Sequence, residues 1–183
     1  MTTTFHLKAS LLIAAICMLP VAQAANLSKD DYKAGKSRIS ADYKVDKAAC
    51  AVMSGNGKDI CTEQSKAKEK VALAELEFGY TGKAKDQNKV LVVQAETAYA
   101  VAKEKCDDLA GNPKDLCVKE AKAIEVKALA DAKLGKEVGA ARTDAVKDKR
   151  DADYDVAVTK CDALAGDLKA ACVTEAKMKF GKS

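Results

Sequence analysis

The chain has 183 residues, with 31 Lys and Arg against 27 Asp and Glu and a formal net charge of +4. That length suits one domain, and the weak, evenly spread charge speaks for solubility rather than for a nucleic-acid or lipid surface. With no Trp, three Phe and abundant Ala, there is little apolar area to bury, so the core should be thin and in need of staples.

Residues 1–24 read as a signal peptide. Lys8 supplies the positive region, Leu11 to Leu19 the apolar core, and Val21-Ala22-Gln23-Ala24 the cleavage pattern. Cys17 lies in this segment, and Ile16 before it does not fit a lipoprotein site. Lys8 is the only Lys, Arg, Asp or Glu before the cut, so cleavage lowers the charge from +4 to +3. Six cysteines remain. An even number in an exported chain implies disulfides.

Downstream, Ser28 reads as a helix N-cap with Asp31 at the third position, and Leu27 and Tyr32 are spaced for a hydrophobic staple. A repeat follows. Cys50 and Cys61, Cys106 and Cys117, and Cys161 and Cys172 each stand eleven apart, and the pairs recur at steps of 56 and 55. Tyr43, Tyr99 and Tyr154 stand seven before each first cysteine. Gly55, Gly111 and Gly166 stand five after it, and Lys58, Lys114 and Lys169 three after the glycine.

In the second copy, Leu91, Ala95, Ala98, Ala102, Cys106 and Leu109 form a narrow helical stripe. The stripe resumes at Cys117, Ala121, Ile124 and Ala128. Between them, Gly111 suits a left-handed helix end, Asn112 an N-cap and Pro113 the first helical position. Gly55-Asn56 and Gly166-Asp167 repeat the plan. Each cysteine pair is equidistant from its turn. In one unbroken helix, positions eleven apart would be about 16 Å apart and could not bond. The expected pairing is therefore Cys50–Cys61, Cys106–Cys117 and Cys161–Cys172. The tyrosine rings are expected to cover the seam beside each pair, with their hydroxyls in water.

Phe78-Gly79, Leu134-Gly135 and Phe180-Gly181 mark the distal ends, and the last arm is half length. Gly79 with Gly82, and Gly135 with Gly139, read as turns between hairpins, with a kinked continuous helix as the open alternative at Gly135 to Gly139. The fold expectation is all-α: three repeated antiparallel helical hairpins, coiled-coil-like, each closed by one disulfide near its turn. The repeats span 25–83, 84–139 and a shortened 140–183.

Little points to chemistry. The only histidine, His6, lies in the signal peptide, so the remainder holds no Ser-His-Asp or Cys-His arrangement. The cysteines show neither the C-x2-C or C-x4-C pairs of zinc sites nor the C-x-x-C of thiol oxidoreductases. There is no phosphate-binding glycine loop. Lys66, Lys68 and Lys70, and Lys147, Lys149 and Arg150, read as solvated helix faces. No catalytic residue, cofactor or metal is expected.

The segments Cys106-Asp107-Asp108-Leu109-Ala110-Gly111-Asn112 and Cys161-Asp162-Ala163-Leu164-Ala165-Gly166-Asp167, each followed by Cys-Val-x-Glu-Ala-Lys, resemble a family of small exported proteins of Gram-negative bacteria. That family is largely uncharacterised, and some members are labelled TolA-like cell-envelope proteins, for their Ala/Lys/Asp/Glu-rich helices. TolA itself has a membrane anchor and a globular C-terminal domain. This chain shows neither, and TolA's function is not carried over.

The resulting expectation is a non-enzymatic protein of the periplasm, or a secreted one, serving as a structural or interaction module with envelope-protein partners. It would bind no nucleic acid and keep no transmembrane segment after cleavage. Two alternatives stand beside it. One is a stress protectant, since Thr143 to Asp155 resembles the hydrophilic helices of desiccation-protection proteins. The other is a periplasmic redox or metal-handling protein.

Overall fold

A computed structural model describes residues 26–182. The expected signal peptide, with His6 and Cys17, lies outside the described residues. Five helices follow one another: α1 (Lys29–Ala51), α2 (Gly55–Thr81), α3 (Ala84–Cys106), α4 (Gly111–Cys161) and α5 (Gly166–Phe180). No strand occurs among the described residues. The Ala, Lys and Glu that fill these segments are strong helix formers, and no proline interrupts a helix interior.

Each helix packs on its neighbour in sequence and on no other. Thus α1 and α3 both lie against α2 without touching each other. The first half of α4 lies against α3, and its last turns lie against α5. The seams are made of small residues. Among the described residues the buried apolar side chains are Ala74, Ala95, Ala121, Ala132, Ala176, Cys50, Cys106 and Cys161, with no Leu, Ile, Val or Phe. The thin core expected from composition is present. Buried polar groups are satisfied locally. Ser65 donates to the Cys61 carbonyl at 2.9 Å, Thr97 to that of Val93 at 2.7 Å, and Asp86 accepts from Thr81 at 2.6 Å.

Several terminus signals hold. The Asp31 amide donates to the Ser28 hydroxyl at 3.1 Å, and that hydroxyl donates to the Asp31 carboxylate at 2.7 Å. Leu27 packs toward Gly79 on α2, and its amide donates to the Gly79 carbonyl at 3.0 Å. Gly82 caps α2 in the left-handed conformation, as Gly181 caps α5.

Two expectations change. Of the two readings at Gly135 to Gly139 the turn is absent and the helix continues: α4 runs unbroken for 51 residues, about 75 Å at ~1.5 Å per residue. Neither glycine has positive φ, and the Thr143 hydroxyl donates back to the Gly139 carbonyl at 3.0 Å, inside the helix. At the earlier junction Thr81 instead bonds Asp86 across the chain reversal. The expected repeat boundary between 139 and 140 therefore falls within α4. The second change concerns the caps. The helices before the turns end at or next to the first cysteine, and Gly55, Gly111 and Gly166 open the following helices. They are left-handed as expected, with φ of 58°. However, α2, α4 and α5 begin without a side-chain cap. Asn56, expected to cap α2, donates instead to the Glu104 carbonyl at 3.0 Å in the last turn of α3, a carbonyl that also accepts the Asp107 amide at 3.1 Å.

Candidate functional site

The six cysteines expected to pair are brought together in the expected pairs. Cα separations are 5.5 Å for Cys50–Cys61 and 5.7 Å for both Cys106–Cys117 and Cys161–Cys172. The local plan is the same each time. The carbonyl of the first cysteine accepts the amide three residues on, from Met53 at 3.1 Å and from Leu109 and Leu164 at 3.0 Å. An extended residue and the left-handed glycine then start the next helix. The first cysteine is fully buried and the second is partly exposed.

The lysine that follows each glycine gains a role that spacing alone did not reveal. Lys114 pairs with Asp107 at 3.0 Å and Lys169 with Asp162 at 2.9 Å, spanning the turn beside the disulfide. The first copy has Ala51 where those aspartates stand. The signal was legible as an Asp directly after the cysteine at the same offset from the lysine in two copies. Both partners are well exposed, so Lys114→Ala should change stability by no more than about 0.5 kcal/mol in thermal unfolding. A loss of several times that would place the turn's rigidity in the ion pair instead of the disulfide.

The tyrosines sit partly buried at the seams, each with a lysine over its ring. The lysine is Lys47 on Tyr43 at 5.9 Å, Lys122 on Tyr99 at 4.8 Å and Lys182 on Tyr154 at 5.4 Å. Tyr154 also meets Phe180 edge-on at 6.2 Å. The covering role expected for these rings matches this placement.

At that last contact, Asp151 accepts from Lys182 at 2.7 Å and Lys147 at 3.0 Å. The Lys182 bond first, then the Lys147 bond, lower its pKa from 3.8 to about 2. A folded value below the unfolded one contributes stability above the unfolded value, and that contribution is lost as pH falls through the folded one. The clasp should therefore hold above pH 3.8 and loosen between 3.8 and about 2. Tyr154 ring resonances followed by NMR report this. Resonances unchanged down to pH 2 would mean that the clasp does not form.

A groove of about 540 Å³ lies on the side of α2 where α1 and α3 flank it. Leu73, Ala74 and Val93 line it, with Lys36, Lys89 and Glu96 among its charged residues. At one end Tyr32 stacks on Tyr80 at 4.5 Å and donates to Glu77, which raises the Tyr32 pKa. An apolar floor between both signs of charge can hold an amphipathic peptide segment. Sequence reading missed this groove, because it depends on which helices share α2. Among the described residues, no cluster of three or more His, Cys, Asp or Glu could hold a metal ion. No helix among them is long and apolar enough to cross a membrane.

No family model, no curated protein and no solved structure matches the chain.

Proposed function

We propose that the chain is a non-enzymatic, exported helical repeat protein that serves the cell envelope as a structural or protein-interaction module. Its unit is the antiparallel hairpin closed by a disulfide: α1 with α2, α3 with the start of α4, and the end of α4 with α5. Contacts that run outward from the first and third turns support this pairing. After Cys50–Cys61 come Asp46 with Lys68 and Tyr32 with Glu77, and after Cys161–Cys172 come Tyr154 with Phe180. The signal peptide and the disulfides together favour the periplasm or the exterior.

The observation that carries the reading is the core itself. Among the described residues its buried apolar side chains are only Ala and Cys, while Leu73, Leu91, Leu116 and Ile124 are among many large apolar residues left outside. A chain that holds its shape by covalent staples keeps its apolar surface free for partners. The partner surface in this reading is the groove over α2. Purified oxidised protein should capture a partner from a native envelope extract. Leu73→Lys should abolish capture without changing the helix content, and reduction should weaken it. Capture indifferent to both changes would remove the groove from the account.

One observation favours the stress-protectant alternative: every residue from Lys133 to Arg150 is exposed. Protection of a labile enzyme through drying by the oxidised chain, with no partner captured, would favour that reading. The partly exposed second sulfurs keep the redox alternative in view, and a thiol count on protein from the native compartment decides it.

A further inference from the structure

The middle of α4 is the longest stretch of helix here without a neighbour. Residues from Lys133 to Arg150 are all exposed, and neither α3 nor α5 covers them. The two ends of α4 are covered on one side. Ala121, Glu125 and Ala132 are buried at the α3 end, and Cys161 is buried at the α5 end with Tyr154 partly so. At about 100° per residue these positions fall on a single side of the helix. Leu134, Val138, Ala141, Ala145, Ala152 and Val156 fall on the opposite side. Leu134 is 59% exposed, Val138 58% and Val156 55%. Leu134, Ala145 and Val156 recur every eleven residues, a period so near that of the straight helix that the stripe stays on one face.

The charges beside this stripe are sorted. Glu137, Asp144, Asp148 and Asp155 lie along one border. Arg142 and Lys149 lie along the other, which carries Asp131 before them and Asp153 after them. In two parallel helices paired through such a stripe, the acidic border of each faces the basic border of the other. In an antiparallel pair, acid faces acid. Glu137 then meets Arg142 of the second copy, and Asp144 meets its Lys149.

We propose that this face of α4 is a self-association seam, occupied by the same face of a second copy of the chain lying parallel and in register. The flanking hairpins do not obstruct it, because α3 and α5 both sit on the far side of α4. The seam is narrow and rich in alanine, which makes the dimer weak and dependent on concentration. The inference goes beyond the reading of the groove, since it concerns a different surface and needs no other protein.

Sedimentation of the oxidised chain lacking residues 1–24 tests it. Between about 10 µM and about 1 mM the protein should pass from monomer to dimer, and added salt should oppose the change. Replacing Arg142 and Lys149 by Glu makes both borders acidic, and should weaken association by about tenfold or more. The full exchange, E137K and D144K together with R142E and K149E, should restore association while refusing to mix with the unchanged chain. Circular dichroism should be the same for all three proteins. Zero-length carboxyl-to-amine cross-linking of a mixture of light and nitrogen-15-labelled chains should join Asp144 of one copy to Lys149 of the other. A monomer throughout the concentration range would overturn the proposal. Cross-links between Lys133 of one copy and Asp155 of the other would overturn the parallel arrangement, and so would association unchanged by R142E with K149E.

Discussion

Replacing Cys106 and Cys117 together by serine should destabilise the α3–α4 pair by about 3 kcal/mol, the chain-entropy value for so short a closed loop. A whole domain is stable by only about 5–15 kcal/mol, so one staple is a large share. The reason the share is large here lies in the seam. Among the described residues, Ala95, Ala121 and Ala132 are the apolar side chains buried along α3 and α4 besides Cys106 and Cys161, and alanine contributes little by burial. The disulfide acts on the unfolded chain, which it keeps from exploring open conformations, and the ion pair of Lys114 with Asp107 cannot substitute for it. Full reduction of all three bonds should therefore melt the helix pairing while part of the helical signal in circular dichroism persists. Thermal unfolding of the serine variant against the unaltered chain, both oxidised, gives the number. A loss below about 1 kcal/mol would mean that the seams carry more of the stability than their composition allows.

The second large effect separates glycines that look alike in sequence. Gly135 and Gly139 are helical, with nothing within 4 Å of the position a Cβ would take. Alanine at either should stabilise the middle of α4 by about 1 kcal/mol, slowing amide exchange there by about fivefold per site. Gly111 also has open space around it, but its φ is 58°. Alanine there should cost about 1 kcal/mol or more, since the left-handed conformation crowds any Cβ. If G135A with G139A accelerated exchange between residues 136 and 146, that segment would be a turn, and α4 would be two helices.

These glycines also mark where sequence reading reached its limit. The cysteine spacing, the Ser28–Asp31 cap and the left-handed glycines were legible because each is a local requirement: a bond length, an orphan amide, a φ angle. The junction at Gly82 was legible for the same reason. Gly135 to Gly139 was not, because a glycine pair signals low helix propensity without saying whether anything replaces the helix. Nothing there supplies the reversal that Thr81, Gly82 and Asp86 build together, so the helix continues. Asn56 misled for a different reason. Its side chain had a local role open to it and found a partner 48 residues away, at the Glu104 carbonyl. The groove over α2 needed the helix order in space, which periodicity within one helix does not contain.

All of this depends on the staples being closed in the compartment where the protein works. The most direct measurement is disulfide mapping of the protein isolated from its native host, with thiols blocked at lysis and no reductant. The account predicts that none of the six cysteines from Cys50 to Cys172 is blocked and that three linked peptide pairs appear: Cys50 with Cys61, Cys106 with Cys117, and Cys161 with Cys172. Free thiols among those six, or a dominant peptide joining two different repeats, would contradict it.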